Sequence, residues 1–219
     1  DPVIPYRYSS KNISGKSRDK AALQKRCGFE IRHDVPLISM VTRLVAHKGL
    51  DLVCRIIDEM LSTDDVQFVL LGTGDSDFEN FFREAAGRHP GCLCAVIEFD
   101  KDLSRLIYAG ADMFLMPSKS EPCGLSQMIA SRYAAVPVVR ETGGLFDSIK
   151  PYGAGGNGFT FAAYNPYDML YVIREALELY KNESEWKALM KKAAETDFSW
   201  QHSAEEYKKL YSATLALKK

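Results

Sequence analysis

Two short segments of this 219-residue chain combine residue types that bind sugars and phosphates. The first is SEPCGLSQM at residues 120–128, and the second is RETGGLFDS at residues 140–148. A carboxylate such as Glu121 accepts hydrogen bonds from sugar hydroxyls, and N–H groups at the start of a helix bind anions. Glycine, which has no side chain, lets the backbone approach such a ligand closely. The two segments therefore indicate a site for an anionic, hydroxyl-rich molecule.

Two further loops contribute cations and an aromatic side chain. The segment TRLVAHKG at residues 42–49 places Arg43 and Lys48 five positions apart, and two cations suit a diphosphate. The segment EFDKD at residues 98–102 contains Phe99, which would stack on a nucleotide base. Together with the first two segments, these loops could assemble one pocket for an anionic, hydroxyl-rich ligand.

The elements that must position these loops alternate along the chain. Runs rich in Val, Ile and Leu predict buried strands at 36–42, 66–72, 92–99, 112–117, 136–140 and 157–161. Helical spacing of apolar residues predicts helices between the strands at 19–27, 50–61, 77–88, 103–110 and 125–135, and three more after residue 165. Residues 1–18 are predicted to form a loop. The pattern predicts an α/β fold, a doubly wound parallel sheet of about six strands with C-terminal helices, whose ligand lies beyond the carboxyl ends of the strands.

Composition and motifs exclude several other classes. The net charge of −1 argues against duplex DNA or an anionic membrane as partner, and no run of 18 apolar residues occurs. The five cysteines form no C-x-x-C pair, so neither a zinc site nor a disulfide framework is predicted, and reduced thiols in a cytosolic protein are expected. The segment GTGDSD at residues 72–77 has Asp where a dinucleotide-binding motif has its third glycine, and the chain has no P-loop motif. A classical dinucleotide or ATP site is therefore not expected. The chain begins at Asp1 without a methionine, which suggests a piece of a longer protein.

The segments TRLVAHKGLDLV, GTGD, PSKSEPCGLSQ and RETGGLFDSI, in this order and spacing, resemble the C-terminal half of bacterial glycogen synthases, the family shared with plant starch synthases. The resemblance spans nearly the whole chain, from PYRYSSKNISGKSRDKAALQ through GNGFTFAAYNPYDML to DFSWQHSAEEYKKLY. It implies a GT-B glycosyltransferase, in which two Rossmann-like domains enclose the active site and the C-terminal domain holds most of the nucleotide-sugar site. It further implies transfer of glucose from ADP-glucose to the non-reducing end of an α-1,4-glucan, with retention of configuration, release of ADP and no metal.

The resemblance also implies roles for individual residues. Arg43 and Lys48 would hold the diphosphate and stabilise the charge on departing ADP, and Glu121 would face the glucose. Phe99 would stand in the place of the adenine-stacking aromatic, which is often Tyr in the family. The backbone at the start of the next helix would meet the distal phosphate, with the Ser hydroxyl, through Gly124, Leu125 and Ser126. A second loop would line the sugar and phosphate side through Thr142, Gly143 and Gly144.

The residues taken alone allow plainer interpretations. Arg43 and Lys48 could be solvated loop charges, and Glu121 could cap the helix that begins near Gly124. Phe99 could be a core residue, and Cys123 is expected to be a packed thiol.

The chain departs from the whole family pattern in one large respect. The catalytic His and the glycine-rich loop belong to an N-terminal domain, so residues 1–219 would form a single C-terminal domain that binds donor but transfers little alone, the glucan being held mainly by the missing domain. Ile129 stands where related transferases have a second glutamate, which favours the glycogen-synthase branch.

Another GT-B enzyme using UDP-glucose and a non-catalytic nucleotide-sugar-binding module remain alternatives. The expected location is the bacterial cytoplasm, or the plastid stroma if the source is a plant.

Overall fold

The computed structural model describes residues 1–153 and 155–217. Within them, six parallel strands form one sheet in the order β3-β2-β1-β4-β5-β6. The strands are β1 Leu37–Val41, β2 Gln67–Leu71, β3 Leu93–Val96, β4 Met113–Met116, β5 Val136–Arg140 and β6 Phe159–Phe161. The prediction of a doubly wound parallel sheet is therefore confirmed.

Nine α-helices lie within the described residues and connect or follow the strands. They are α1 Gly15–Arg26, α2 Leu50–Thr63, α3 Ser76–Arg88, α4 Lys101–Gly110, α5 Ser126–Arg132, α6 Gly143–Ser148, α7 Pro166–Tyr180, α8 Glu183–Glu195 and α9 Trp200–Ala216. A single 3₁₀ turn, Ala46–Lys48, precedes α2. None of the helices in this part of the chain is long and apolar enough to cross a membrane.

Helices cover both faces of the sheet, because alternate residues of each strand point to opposite sides. In β1, Ile38 and Met40 pack into a core shared with α2, α3, α7 and α8. Leu37, which precedes Ile38 and therefore points the opposite way, packs on the other face with Leu23 of α1 and Ile107 of α4. Farther along that face, α5 and α6 cover β4 and β5. Because apolar helices cover both faces of the sheet, the strand sequences do not alternate between polar and apolar residues.

The order of the strands reverses between β1 and β4, which is the topological switch point of the sheet. The chain leaves β1 toward β2 on one side and leaves β4 toward β5 on the other, although β1 and β4 are neighbours. The loops that follow these two strands therefore diverge and leave a crevice at the carboxyl edge of the sheet. This crevice is where the fold itself offers room for a ligand.

The predicted loop at residues 1–18 is wrong for its last four residues, because α1 begins at Gly15. The buried residues of α1 include Lys16, Asp19 and Lys20, so the apolar spacing detects only the later part of the helix, predicted at 19–27. Gly15 packs closely against the preceding loop, where a Cβ would lie 3.0 Å from the carbonyl oxygens of Tyr6 and Arg7.

Two element ends and one further helix also differ from the prediction. The strand predicted to reach residue 99 ends at Val96, and the helix predicted to reach residue 135 ends at Arg132. The helix stops there because Ala134 adopts a left-handed backbone conformation, with φ of 52°, just before β5. The helix α6, six residues long, was not among the predicted elements.

Candidate functional site

A cavity of about 200 Å³ opens at the switch point. Its wall consists of the last residues of β1 and β4 and of the loops that follow them, namely residues 40–43 and 115–118 with Lys48, Glu121 and Ser126. Four of the residues singled out in the sequence, Arg43, Lys48, Glu121 and Ser126, therefore line one crevice although they lie up to 83 positions apart in the chain.

An ion pair joins the two loops inside the cavity. The Nζ atom of Lys48 lies 2.6 Å from Oε2 of Glu121, and the side chains are 17% and 10% exposed. The hydroxyl of Ser118 also donates to Oε2, at 3.1 Å. The second carboxylate oxygen of Glu121, Oε1, accepts no hydrogen bond from the residues that the structure describes, and Lys48 has no other partner among them. The pair thus keeps both an acceptor and ammonium protons for a ligand.

The two loops lie close enough for this pair because of one glycine. Gly49 has a φ of 76°, and a Cβ at this position would lie 2.1 Å from the carbonyl oxygen of Pro117. The backbone N–H of Lys119 also donates to the carbonyl of His47, at 2.9 Å. Any side chain at position 49 would force the loops apart, so the glycine and the backbone bond set the distance between Lys48 and Glu121.

Arg43 lines the same cavity from the end of β1 and is exposed. Its guanidinium forms no ion pair with a carboxylate in residues 1–153 or 155–217. A cation that is not neutralised by the protein strengthens the attraction of the cavity for an anion.

The segment from Glu121 to Ser126 leads into α5 without a side-chain cap. The cap position is Leu125, which is exposed, and within the described residues no side chain is recorded as bonding to the first N–H groups of the helix. Glu121 contacts Lys48 and Ser118 instead, so the interpretation of Glu121 as a helix cap is wrong. Gly124 turns the chain with a φ of 77° just before the helix.

The glycines of the second segment support the loop rather than line the cavity. A Cβ on Gly143 would lie 2.3 Å from the carbonyl oxygen of Glu121, and one on Gly144 would lie 2.0 Å from that of Cys123. The N–H of Gly144 donates to the carbonyl of Glu121 at 3.0 Å. Thr142 is the cap residue of α6, and its side chain makes no capping bond.

A separate cavity of about 730 Å³ lies between α5, α6 and the end of α8 and is bordered by Gly144 and Cys123. Cys123 is exposed there, so the prediction that its thiol is packed is wrong.

Phe99 lies apart from the cavity, in the loop after the edge strand β3. Its side chain is 91% exposed, so the interpretation as a core residue is wrong. An exposed phenyl ring on the same edge of the sheet as the cavity offers a planar apolar surface for a base.

Sequence reasoning did not single out Ser118. This residue is buried, and its hydroxyl orients the carboxylate of Glu121. The only local signal is its place three residues before Glu121 in the same loop. Among the described residues, no group of three or more His, Cys, Asp or Glu side chains is arranged to hold a metal ion.

The comparison with known proteins agrees with this geometry. Residues 24–196 match the family model for glycosyl transferases group 1. The glycogen synthase of Bacillus licheniformis is 49% identical over 215 residues, which cover 97% of this chain and 44% of that protein. The glycogen synthase of Geobacillus stearothermophilus is 50% identical over 214 residues, which cover 96% of this chain and 44% of that protein.

Among solved structures, the catalytic domain of starch synthase IV from Arabidopsis thaliana, bound to ADP and acarbose, is similar with a TM-score of 0.86 and 35% identity. The match covers 99% of this chain and 46% of that chain. The resemblance to glycogen and starch synthases is thus confirmed, although the chain spans less than half the length of these relatives. The chain belongs to the group 1 glycosyltransferases.

Proposed function

We propose that this chain is the donor-binding half of a retaining glucosyltransferase that uses ADP-glucose and extends an α-1,4-glucan at its non-reducing end. The observation that carries the proposal is the meeting of Arg43, Lys48 and Glu121 in one cavity at the switch point of the sheet. Two cations and a carboxylate with an unoccupied oxygen match a diphosphate attached to a sugar.

The two cations would act on the leaving group. When the bond between glucose and the diphosphate breaks, negative charge grows on the distal phosphate. Arg43 and Lys48 would stabilise that charge through charge-assisted hydrogen bonds, which is electrostatic catalysis of ADP departure. Because these cations neutralise the diphosphate, the proposal requires no metal ion or other cofactor.

Glu121 would hold the glucose. Its Oε2 is occupied by Lys48 and Ser118, so Oε1 is the atom that would accept hydrogen bonds from sugar hydroxyls. The same ion pair would then connect the two ends of the scissile bond, with the carboxylate on the glucose side and the ammonium on the phosphate side. This arrangement gives all three residues a place in catalysis.

The remaining predicted residues would complete the donor site. Ser126 lines the cavity at the start of α5, where its N–H and hydroxyl would meet the distal phosphate together with the backbone of Gly124 and Leu125. The exposed ring of Phe99 would stack on adenine. The residues Thr142, Gly143 and Gly144 would act from the start of α6 by supporting the Glu121 loop, which would in turn contact the sugar and the phosphate.

Residues 1–219 are proposed to be one C-terminal domain whose catalytic partner is a second, N-terminal domain. The helix α9 supports this proposal, since none of its described residues is buried and it exposes Trp200, Tyr207, Leu210 and Tyr211. An apolar helix face of this size is typical of a surface that another domain covers. The glucan acceptor would bind mainly to that partner, and the isolated chain would transfer little glucose.

The choice of adenine rests on the relatives. The Arabidopsis starch synthase IV structure contains ADP, and its fold covers nearly all of this chain. The two glycogen synthases that are 49% and 50% identical to the chain over the aligned residues are bacterial, which favours the bacterial cytoplasm over the plastid stroma as the location.

Calorimetric titration of the chain with ADP, ADP-glucose and UDP-glucose, in buffer with a chelator, tests the proposal. We expect saturable binding of ADP and ADP-glucose, with weaker binding of UDP-glucose. Preferential binding of UDP-glucose would instead support another GT-B transferase. Donor binding without glucose transfer after the missing half is supplied would support a non-catalytic module, and absence of all binding at millimolar ligand would contradict the proposed donor site.

A further inference from the structure

We propose that Arg140 is a positioning residue that holds the 117–121 loop, and with it the Lys48–Glu121 pair, in the geometry that binds the diphosphate sugar. This inference rests on the proposed function for its ligand. Arg140 is the last residue of β5, and it is not among the residues that line the cavity. It would therefore act through the loop rather than on the donor.

The guanidinium of Arg140 donates hydrogen bonds to backbone carbonyl groups of the loop. Its Nη1 atom lies 3.3 Å from the carbonyl oxygen of Ser118 and 3.0 Å from that of Lys119. Ser118 is the residue whose hydroxyl orients Glu121, and Lys119 is the residue whose N–H bonds to the loop that carries Lys48. One side chain thus fixes the two peptide groups on which the geometry of the ion pair depends.

Arg140 is itself held by an aromatic ring. Its Cζ atom lies 5.4 Å from the centroid of the Tyr164 ring, and Nζ of Lys119 lies 5.7 Å from the same centroid. The hydroxyl of Tyr164 bonds to Asp51 in the first turn of α2. Tyr164 thereby connects Arg140 to the helix that begins directly after Lys48 and Gly49.

The chemistry of this contact requires arginine. The planar guanidinium stacks on a ring and directs N–H groups to fixed acceptors, whereas a lysine ammonium is a point charge on a flexible stem. The Nε atom of Arg140 is buried without a hydrogen-bond partner in the described part of the chain, which costs free energy. The two carbonyl contacts of Nη1 offset this cost by holding the loop.

The test compares Arg140→Lys with Arg132→Lys. Arg132 also donates to a backbone carbonyl, that of Ala194 at 3.3 Å, but this carbonyl lies on α8 and not on the site loop. Both substitutions keep the charge and remove a guanidinium. For each variant, ADP affinity is measured by calorimetry, the exchange rate of the Lys119 amide by NMR, and the melting temperature by circular dichroism.

We expect Arg140→Lys to weaken ADP binding about tenfold and to accelerate exchange of the Lys119 amide, while Arg132→Lys changes neither. Tyr164→Phe, which keeps the ring and removes its bond to Asp51, should change both quantities in the same direction by less. Normal ADP affinity or a normal Lys119 exchange rate in Arg140→Lys would overturn the proposal. If the unsubstituted chain binds no ADP, the proposed function fails, and the Lys119 exchange rate still decides whether Arg140 holds the loop.

Discussion

Two lysine–carboxylate pairs lie at opposite ends of the parallel strands. One lies at the carboxyl edge, where the strands end, and the other at the amino edge, where the strands begin, and the two pairs differ in what surrounds them. At the carboxyl edge, Nζ of Lys48 lies 2.6 Å from Glu121, and at the amino edge, Nζ of Lys20 lies 2.7 Å from Asp112, just before β4. The side chains of Lys20 and Asp112 are 4% and 8% exposed and line a separate cavity of about 850 Å³, and those of Lys48 and Glu121 are 17% and 10% exposed and line the cavity at the switch point. The distances within the two pairs are nearly equal, so distance does not distinguish them.

The number of remaining partners does distinguish them. Besides Asp112, Lys20 donates to the carbonyl oxygens of Val35 and His33, at 2.6 and 3.3 Å, and to the hydroxyl of Tyr180 at 2.8 Å. Its three ammonium protons are therefore used within the fold. Lys48 has a single partner among the described residues, Glu121. A charged side chain that the fold leaves partly unsatisfied beside a cavity is the better candidate for ligand binding.

The largest expected effect is on the amino-edge pair. Lys20→Met should lower the free energy of unfolding by about 3–5 kcal/mol, because it leaves the carboxylate of Asp112 buried without its cation. Urea-induced unfolding measures this change. Lys25→Met, on the exposed face of the same helix, is the control and should change stability by less than about 0.5 kcal/mol. A loss below about 1 kcal/mol in Lys20→Met would remove the distinction between the two edges.

The next effect concerns binding and not stability. Lys48→Met should weaken ADP binding roughly 10- to 100-fold, the value of a charge-assisted hydrogen bond to phosphate. Its unfolding free energy should fall by less than that of Lys20→Met, because water in the cavity can reach Glu121. Calorimetry and urea unfolding on the same protein samples give both numbers. Unchanged ADP affinity with a large loss of stability would show that Lys48 is structural, like Lys20.

A glycine substitution tests the close packing of the carboxyl edge. Gly144→Ala should destabilise the chain by about 1–3 kcal/mol and weaken ADP binding, since the added Cβ would lie 2.0 Å from the carbonyl oxygen of Cys123 and must displace the site loop. Gly87→Ala in α3 is the matched control, because a Cβ there has no atom within 4 Å. It should stabilise the chain by about 0.5 kcal/mol. Equal effects of the two substitutions, measured by thermal unfolding, would contradict the packing argument.

The last expected effect is a pH dependence of stability at the amino edge. Lys16 is buried, and its Nζ atom bonds to the carbonyl oxygens of Tyr108, Ala109 and Tyr133. Burial lowers the pKa of Lys16 to about 7, below its usual value of 10.5. Between these two pH values the unfolded chain binds more protons than the folded chain, so stability from this group rises with pH, by at most about 1.4 kcal/mol per pH unit.

Comparison with Lys16→Met isolates this contribution. The difference in unfolding free energy between the unsubstituted chain and Lys16→Met should grow in favour of the unsubstituted chain from pH 7 to pH 9 and stay level from pH 5 to pH 6.5. A difference that is independent of pH throughout, in urea titrations at matched ionic strength, would show that Lys16 titrates in the folded chain as it does in water.

The same comparison explains what the sequence could reveal. The strands and the loops after them were predicted well, because apolar runs bounded by glycine and charged residues carry a local signal. The amino-edge cluster was not predicted, since the first turn of α1 was predicted as a loop and nothing in the sequence indicated that Lys16, Asp19 and Lys20 are buried. Buried charges are satisfied by partners that are distant in sequence, such as Tyr180 for Lys20, and no local pattern announces them.

At the site, the sequence indicated which residues could bind a donor but not how they are held. Arg43, Lys48, Glu121 and Ser126 follow strands that prove to be neighbours, so their meeting could be anticipated from the topology of a parallel sheet. The contacts of Ser118 with Glu121, and of Arg140 with the carbonyls of the loop, depend on the path of the backbone in space. The exposure of Phe99 follows from the early end of β3, which the apolar run at residues 92–97 concealed.

The most direct test of the donor site is a crystal structure of the chain grown with ADP. The proposal predicts that the diphosphate lies in the cavity at the switch point, within hydrogen-bond distance of Nζ of Lys48 and the backbone N–H of Ser126, with adenine against Phe99. ADP bound elsewhere, for example in the larger cavity between α5, α6 and α8, would contradict it, and so would an ADP whose phosphates contact neither Arg43 nor Lys48.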